Sequence, residues 1–214
     1  MDLITIKQLA FDHLGNKNSH RWKEKGNKFY HGERVATLVL QLRKLILPED
    51  NSHDDILTVT AWFHDILNGN EDHAVQGAIK TREVLQGYCT EEELNTICEI
   101  IKVHDDRTCG RDVYSTYIKL QQDADLLDHF GIFDIWMSFS YFVSHGKNMK
   151  DVAQWLSEVR PLEDKKYLEE LNYELSKIIY KEKSSFVRSF SERFCVESSG
   201  GIWNLATILA EEQK

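Results

Sequence analysis

The sequence predicts an all-α protein, and three observations support this fold class. Residues that form turns are scarce, because the 214 residues include only 11 glycines and 2 prolines, whereas an all-β sandwich or barrel needs many more. Apolar residues recur at three- and four-residue steps, which is the spacing of amphipathic helices. They also make up 42% of the chain, which is enough for a hydrophobic core and too many for general disorder.

The predicted helices follow one another with short polar loops between them. The helix that carries Val35 and Leu42 is expected to stop before Pro48, because the residue before a proline disfavours helical geometry. Thr90 and Glu93 have the spacing of a capping box and predict a helix start. A cap at 52–55 would begin a helix that runs to about 67. Further helices are predicted at 73–86, 91–104, 114–129 and 202–209. Two more are predicted over the aromatic stretch that ends near 145 and over one long stretch from past 161 to 194.

Composition excludes several classes of protein. The 26 basic and 35 acidic residues give a net charge of −9, which disfavours an extended nucleic-acid surface or binding to an anionic membrane. The four cysteines form no C-x-x-C pair, so a zinc ribbon is not expected. The N-terminus is acidic at position 2 and the apolar stretch at 56–63 is short, so we expect neither a secretory signal nor a membrane span, and a cytoplasmic location. No linker divides the chain, which predicts a single domain over 1–214.

Two places on apolar helices carry side chains that demand an explanation. His31 lies four residues before Val35, on the apolar face of its helix, where it is either a hydrogen-bonded core histidine or a ligand. His64 and Asp65 lie in a segment that is apolar nearly all round, with no Lys or Arg within one turn. A buried carboxylate costs several kcal/mol unless it is paired or binds metal. The alternatives for Asp65 are metal binding and a bond to a neighbouring helix end.

The third place is an acidic helix that also carries apolar residues. Asp125 lies seven residues after Ile118 and shares its apolar face, Asp128 lies one turn further on that side, and Asp123 is rotated away. A solvated acidic face is the alternative interpretation. His31, His64, Asp65 and Asp125 come from three helices that can converge in a bundle core. Such a mixed nitrogen and oxygen site suits Mn, Fe, Co, Ni or Zn, with Mg also possible, rather than copper bound by thiolates.

These residues resemble the motifs of the HD-domain metal-dependent phosphohydrolases. The resemblance is carried by His31 in HGERV, by His64-Asp65 in AWFHDI and by Asp125 in QDADLLD, in that order along the chain. It covers about 20–145, and the helices from about 146 to 214 are similar to those of small stand-alone members, packed on the core. It implies an HD-like helical bundle with additional C-terminal helices, and a divalent metal held by His31, His64, Asp65 and Asp125.

Further roles follow from the same resemblance. His73 and His104 stand where histidines of some members hold a second metal or contact phosphate, although Asp105-Asp106-Arg107 follows His104 instead of a second histidine. We expect Arg34, His73 and His104 to contact substrate. The alternative for Arg34 is a surface ion pair, and the alternative for His73 is an exposed position at the start of a helix. Lys102, Arg107 and Arg111 are further candidates for phosphate contacts, each with a surface ion pair as the alternative.

The resemblance also implies an activity, which is hydrolysis of a small phosphorylated substrate, a nucleotide or a similar phosphate ester, by a metal-activated water. In this hypothesis Asp65 is both ligand and catalytic residue, while Asp123 and Asp128 are outer residues that fix imidazole tautomers or helix contacts. Three alternatives stay open: an HD-like di-iron oxygenase, a regulatory module that binds nucleotide or metal without turnover, and a purely structural helical protein. The sequence leaves the oligomeric state and the identity of the metal open.

Overall fold

The computed structural model describes residues 1–19, 23–107 and 113–212. These ranges form α-helices without any β-strand, and the fold is 73% helical. The helices are α1 (Leu3–Leu14), α2 (Asn27–Ile46), α3 (Asp54–Phe63), α4 (His73–Leu85), α5 (Glu91–Lys102), α6 (Thr116–Asp128), α7 (Ile132–Ser144), α8 (Met149–Gln154), α9 (Arg160–Glu170), α10 (Glu174–Ser198) and α11 (Leu205–Glu212), with a π-helical turn over Trp155–Val159. The predicted all-α bundle is confirmed.

Helices α2, α3 and α6 pack against one another and form the centre of the molecule. The apolar stripe of α2 is fully buried at Val35, Val39 and Leu42. Helix α3 is buried nearly all round, as its apolar sequence predicts. Helix α6 is buried along most of its length although it carries three acids. The acids of α6 therefore lie inside the protein, not on a solvated face.

Gly32 allows α2 and α3 to approach each other closely beside His31. A β-carbon at position 32 would lie 2.7 Å from the carbonyl oxygen of Ala61 and 3.1 Å from the α-carbon of Trp62. Both atoms belong to the backbone of α3 and cannot rotate away. Gly32 therefore sets the separation between α2, which carries His31, and α3, which ends directly before His64.

We expect Gly32→Ala to lower the free energy of unfolding by about 1–3 kcal/mol, the usual cost of overpacking. Gly77→Ala is the matched control, because a β-carbon at that position would meet only ordinary contacts of 3.7 Å or more. The substitution also replaces a flexible glycine within α4 by alanine. Urea unfolding of both variants measures the difference. Equal stability of the two variants would contradict the proposed close approach.

Helix ends agree with the predictions in some places and differ in others. The capping box of Thr90 and Glu93 is present at the start of α5. Helix α3 ends at Phe63, not near 67, and α5 ends at Lys102, not at 104. The chain tightens there, because the amides of Ile66 and His104 donate to carbonyls three residues back. His64, Asp65 and His104 therefore lie in turns that directly follow helices.

The single long helix predicted past 161 is wrong, because α9 and α10 are separate. The break lies at 171–173, where the carboxylate of Asp123 accepts hydrogen bonds from the backbone amides of Asn172 and Tyr173. The apolar spacing continues through Leu171, which is buried, so the sequence pattern conceals the break. Helix α10 packs against α6, α7, α8 and α9. Among the described helices, none combines the length and the apolar character needed to cross a membrane.

Candidate metal centre

The side chains of His31, His64 and Asp125 meet between the three central helices. The Nε2 atom of His31 lies 3.1 Å from the Nε2 atom of His64 and 3.1 Å from Oδ1 of Asp125. The Nε2 atom of His64 lies 3.4 Å from the same carboxylate oxygen. All three side chains are buried. The structure thus brings together three of the four predicted ligands in direct contact.

His64 and His104 are held by the same local construction. Each follows the end of a helix, and each ring nitrogen Nδ1 faces the carbonyl oxygen three residues earlier, at 2.8 Å for Ala61 and 2.7 Å for Ile101. Because a carbonyl oxygen only accepts hydrogen bonds, Nδ1 carries the proton in both rings. The Nε2 atoms therefore present lone pairs to the interior when the rings are neutral.

Asp128 orients His31 in a corresponding way. Its Oδ2 lies 2.8 Å from Nδ1 of His31 and accepts a hydrogen bond from the guanidinium of Arg34 at 2.9 Å. Burial raises the pKa of Asp128, but the bonds to His31 and Arg34 lower it to about 2. A carboxylate behind a histidine is the usual outer partner of a metal-binding imidazole, so the geometry of Asp128 fits the outer role predicted for it.

The donor set fits a cation. The Nε2 atoms of His31 and His64 lie 3.1 Å apart, beside a carboxylate oxygen of Asp125. If both nitrogens carry lone pairs, they repel each other and the carboxylate unless a positive charge lies between them. A proton satisfies this requirement, since burial opposes the charge on His31 but hydrogen bonds to Asp125 and Asp128 raise its pKa to about 9. A divalent ion satisfies it equally, because neutral imidazoles and carboxylates are its ordinary ligands.

Asp65 lies at the edge of this cluster and has a partner that the sequence did not reveal. Its Oδ2 lies 3.9 Å from Nε2 of His31 and 3.8 Å from Nε2 of His64. The ammonium of Lys28 contacts the same oxygen at 2.5 Å, and the amide of Asn68 donates to Oδ1 at 2.8 Å. Burial raises the pKa of Asp65, but Lys28 and the surrounding histidines hold it well below its usual range.

Each buried carboxylate of the centre faces a cationic side chain. Lys28 lies against Asp65, Arg34 against Asp128, and the guanidinium of Arg107 lies 3.6 Å from Oδ2 of Asp125. The net charge of these six groups is balanced, so the case for a metal rests on the converging nitrogen lone pairs and not on excess negative charge.

Asp123 lies outside the centre, although it was predicted to be an outer residue of it. Its carboxylate accepts hydrogen bonds from the amides of Asn172 and Tyr173 and from the side chain of Asn172. The residue is fully buried, and burial raises its pKa. Of the two outer functions predicted for Asp123, the described residues show a contact directly before α10 and none with an imidazole.

The remaining predicted contact residues are distributed around the centre. The Nε2 atom of His104 lies 3.9 Å from Oδ1 of Asp65, and the ring of His73 lies 5.5 Å from that of His104. The Nε2 atom of His73 lies 3.5 Å from Asp105 at the surface. Lys102 is exposed at the end of α5, and Arg111 lies outside the described residues. Substrate contacts by Arg34, His73 and His104 stay predictions.

His129 was missed by the sequence analysis. Its ring lies 4.8 Å from that of His31, and burial together with the nearby His31 lowers its pKa to about 4. Four overlapping groups have ligand atoms within 4.8 Å of one another: His31 with Asp125 and His129, His31 with His64 and Asp65, His64 with His104 and Asp125, and Asp65 with His73 and His104. His129 follows Asp125 by four residues and Asp128 by one, so it falls on the same side of the chain as these acids. That spacing was the sequence signal that could have identified it.

A cleft of about 480 Å³ leads from the surface to this centre. Its lining includes the buried Asp65, His104 and Asp125 and the partly exposed Lys28 and Asn68. The volume is that of a small-molecule site. The buried ligand set is therefore accessible to a small molecule from one side.

Solved structures share this architecture. An HD-superfamily hydrolase from Bacillus thuringiensis superposes with a TM-score of 0.66 at 21% identity, covering 92% of this chain and 96% of the other. This chain has the fold of the HD-superfamily hydrolases. A predicted HD-superfamily hydrolase from an uncultured Thermotogales bacterium gives a TM-score of 0.61 at 20% identity, over 91% of this chain and 92% of the other.

A third similar structure is YpgQ of Bacillus subtilis, solved in complex with ADP. It gives a TM-score of 0.60 at 17% identity and covers 88% of this chain and 94% of its own. Neither a protein-family model nor a curated protein matches the sequence. At these identities the similarity shows the fold, and the function has to be argued from the centre itself.

Proposed function

We propose that this protein is a metal-dependent phosphohydrolase that acts on a nucleotide or another small phosphate ester. The observation that carries the proposal is the convergence of the Nε2 atoms of His31 and His64 on a carboxylate oxygen of Asp125 at the end of an open cleft. The HD-hydrolase fold supports a hydrolase at this coarser level. The ADP bound to YpgQ supports a nucleotide as the ligand class.

The proposed ligands are His31, His64, Asp65 and Asp125, with Asp128 as the outer partner of His31. A divalent ion held there would lower the pKa of a bound water and polarise a phosphoryl oxygen. Asp65 faces the cleft and orients the attacking water or accepts its proton. The water oxygen bonds to phosphorus as the bond from phosphorus to the alcohol oxygen breaks. One water proton passes to the leaving oxygen, so the products are inorganic phosphate and the free alcohol.

Lys28 adds a positive charge at the substrate side of the centre. Its ammonium carries three donors and occupies one of them on Asp65. Lys28 also lines the cleft that leads to the centre, so its positive charge faces the space that a phosphoryl group would occupy. Lys28 therefore neutralises both the ligand Asp65 and the negative charge that develops on the phosphoryl group.

A screen of phosphate esters tests the proposal. The protein is loaded separately with Mn, Co, Ni, Mg, Fe or Zn, and release of phosphate from nucleotides and alkyl phosphates is measured. We expect Asp65→Asn to lose at least about 100-fold in kcat/KM, the upper end of the effect of an outer ligand partner. Asp72→Asn, an exposed carboxylate outside the cluster, serves as control. Full activity of Asp65→Asn would falsify the proposed chemistry.

A di-iron oxygenase is the second candidate function. The group of Asp65, His73 and His104 has ligand atoms within 4.8 Å of one another and offers a second ion site. Against it, the Oδ1 atom of Asp65 that faces His104 already accepts a hydrogen bond from the side-chain amide of Asn68. Two irons per chain with no phosphatase activity would favour the oxygenase, whereas nucleotide binding without turnover would favour a regulatory module.

A further inference from the structure

A second cleft, of about 730 Å³, opens beside the metal centre. It shares His129 with the cleft that leads to the centre, so this side chain borders both cavities. Its walls come from the end of α6, from α7, from the π-helical turn after α8 and from α9. A ligand with its phosphate at the metal centre and its other end in the second cleft would pass this side chain.

The second cleft is lined by aromatic rings. Its aromatic side chains, apart from histidines, are Phe130, Tyr141, Phe142, Trp155 and Tyr167. Phe142 packs against Trp155 with ring centroids 5.7 Å apart, and Tyr141 stacks on His145 at 4.1 Å with 37% of its surface exposed. Aromatic faces that line a cavity favour a planar ring as occupant, because offset stacking adds to the burial of apolar area.

The charges of the second cleft disfavour an anionic occupant. Arg160 contributes the only Lys or Arg group among its described lining residues, and this guanidinium is paired with Asp134 at 2.9 Å and with Asp164 at 2.8 Å. Glu163 adds a further carboxylate to the lining. A phosphate needs cationic or amide donors, which the cleft over the metal centre offers through Lys28 and the second cleft does not.

We propose that the second cleft binds a neutral planar aromatic group that is esterified to the phosphate at the metal centre. This inference rests on the proposed function and specifies its substrate class: esters of an aromatic alcohol or of a nucleoside. His129 lies at the junction of the two parts of the substrate. Tyr141 contributes an exposed ring face and acts as a positioning residue for the aromatic group.

Matched pairs of esters test the inference. Benzyl phosphate is compared with cyclohexylmethyl phosphate, which has a similar leaving group without a planar ring, and AMP is compared with ribose 5-phosphate. We expect kcat/KM to be about tenfold higher for the aromatic member of at least one pair, the size of one stacking interaction. The pair that shows the preference distinguishes a simple aryl group from a nucleobase.

Variants assign the preference to this cleft. We expect Tyr141→Ala to remove the preference and Tyr141→Phe to retain it, while Tyr88→Ala, an exposed tyrosine outside the cleft lining, has no effect. Tyr88→Ala also leaves the activity on cyclohexylmethyl phosphate unchanged. Absence of any aromatic preference, or an equal preference in Tyr141→Ala, overturns the inference and leaves the proposed hydrolysis standing.

Binding measurements separate the inference from the proposed function. If no ester is hydrolysed, calorimetric titration of the same protein with adenosine and with benzyl alcohol replaces the kinetic readout. Binding that is weakened about tenfold by Tyr141→Ala and not by Tyr88→Ala supports an aromatic subsite, even though the hydrolase proposal then fails. Absence of binding of both compounds overturns the inference.

Discussion

Asp125→Asn is expected to abolish metal binding while the helices stay folded. The substitution keeps the shape of the side chain and removes the negative charge that faces the Nε2 atoms of His31 and His64. Removal of an outer partner of a metal ligand lowers the affinity for the metal by about 10- to 100-fold. Removal of a ligand itself should lower the affinity by more than that. Calorimetric titration with Mn²⁺ measures the affinity, and phosphate release from the best substrate of the screen measures the activity.

Asp123→Asn is the matched control for Asp125→Asn, because it lies two residues away on the same helix and faces α10 instead of the centre. Its Oδ1 accepts from Asn172 and its Oδ2 from the amide of Tyr173. An asparagine amide would place a donor against the Tyr173 donor, so we expect a loss of about 1–3 kcal/mol in the free energy of unfolding. Its affinity for Mn²⁺ should stay within a factor of about three, well below the effect of a lost outer partner.

The two variants therefore separate metal binding from folding. If Asp125→Asn binds Mn²⁺ as tightly as the unchanged protein, the assignment of Asp125 as a ligand is wrong. If Asp123→Asn loses the metal while it remains folded, the centre extends further along α6 than its contacts show. Urea unfolding of both proteins without added metal provides the comparison of stability.

Local sequence patterns were sufficient to predict most helices and the four proposed ligands. Apolar spacing marks the buried face of α2, and His31 lies on it. The predicted α3 was too long, because the turn after Phe63 also contains apolar residues, Ile66 and Leu67, and therefore continues the pattern of the helix. The order of His31, His64-Asp65 and Asp125 was therefore recognisable, whereas the backbone geometry that presents His64 and Asp65 was not.

The interactions that local patterns could not reveal connect distant parts of the chain. Lys28 is 37 residues from Asp65 in sequence and pairs with it only because α2 packs on α3. The break before α10 depends on Asp123, which is 49 residues from Asn172. Neither contact changes the spacing of apolar residues in the sequence around it, because each joins a single residue to another that is distant along the chain.

Lys28→Met is expected to retain the metal and lose hydrolysis. Removing the ammonium leaves the buried carboxylate of Asp65 without its cation, and breaking a buried ion pair costs about 3–5 kcal/mol of unfolding free energy. Saturating Mn²⁺ should offset part of that loss. An ion that binds the folded state and not the unfolded state raises the free energy of unfolding by about 2.7 kcal/mol at a concentration of 100 times its dissociation constant. Urea unfolding with and without Mn²⁺ measures both effects.

Lys25→Met is the control, since Lys25 is exposed and lies three residues before Lys28. It should change neither stability nor activity by a measurable amount, as is usual for surface positions. Lys28→Arg keeps a positive charge and separates the charge of the ammonium from its shape. We expect Lys28→Arg to retain most of the stability and to recover only part of the hydrolysis.

The outcome for Lys28 distinguishes two functions of its charge. If Lys28 only compensates Asp65, bound Mn²⁺ replaces it and Lys28→Met hydrolyses phosphate esters at the normal rate once metal is added. If Lys28 also donates to the phosphoryl group, the metal restores stability but not kcat, because a metal ion has no N–H group to replace the hydrogen bond from Lys28. The position of Lys28 on the cleft lining, together with its contact to Asp65, leads us to expect the second result.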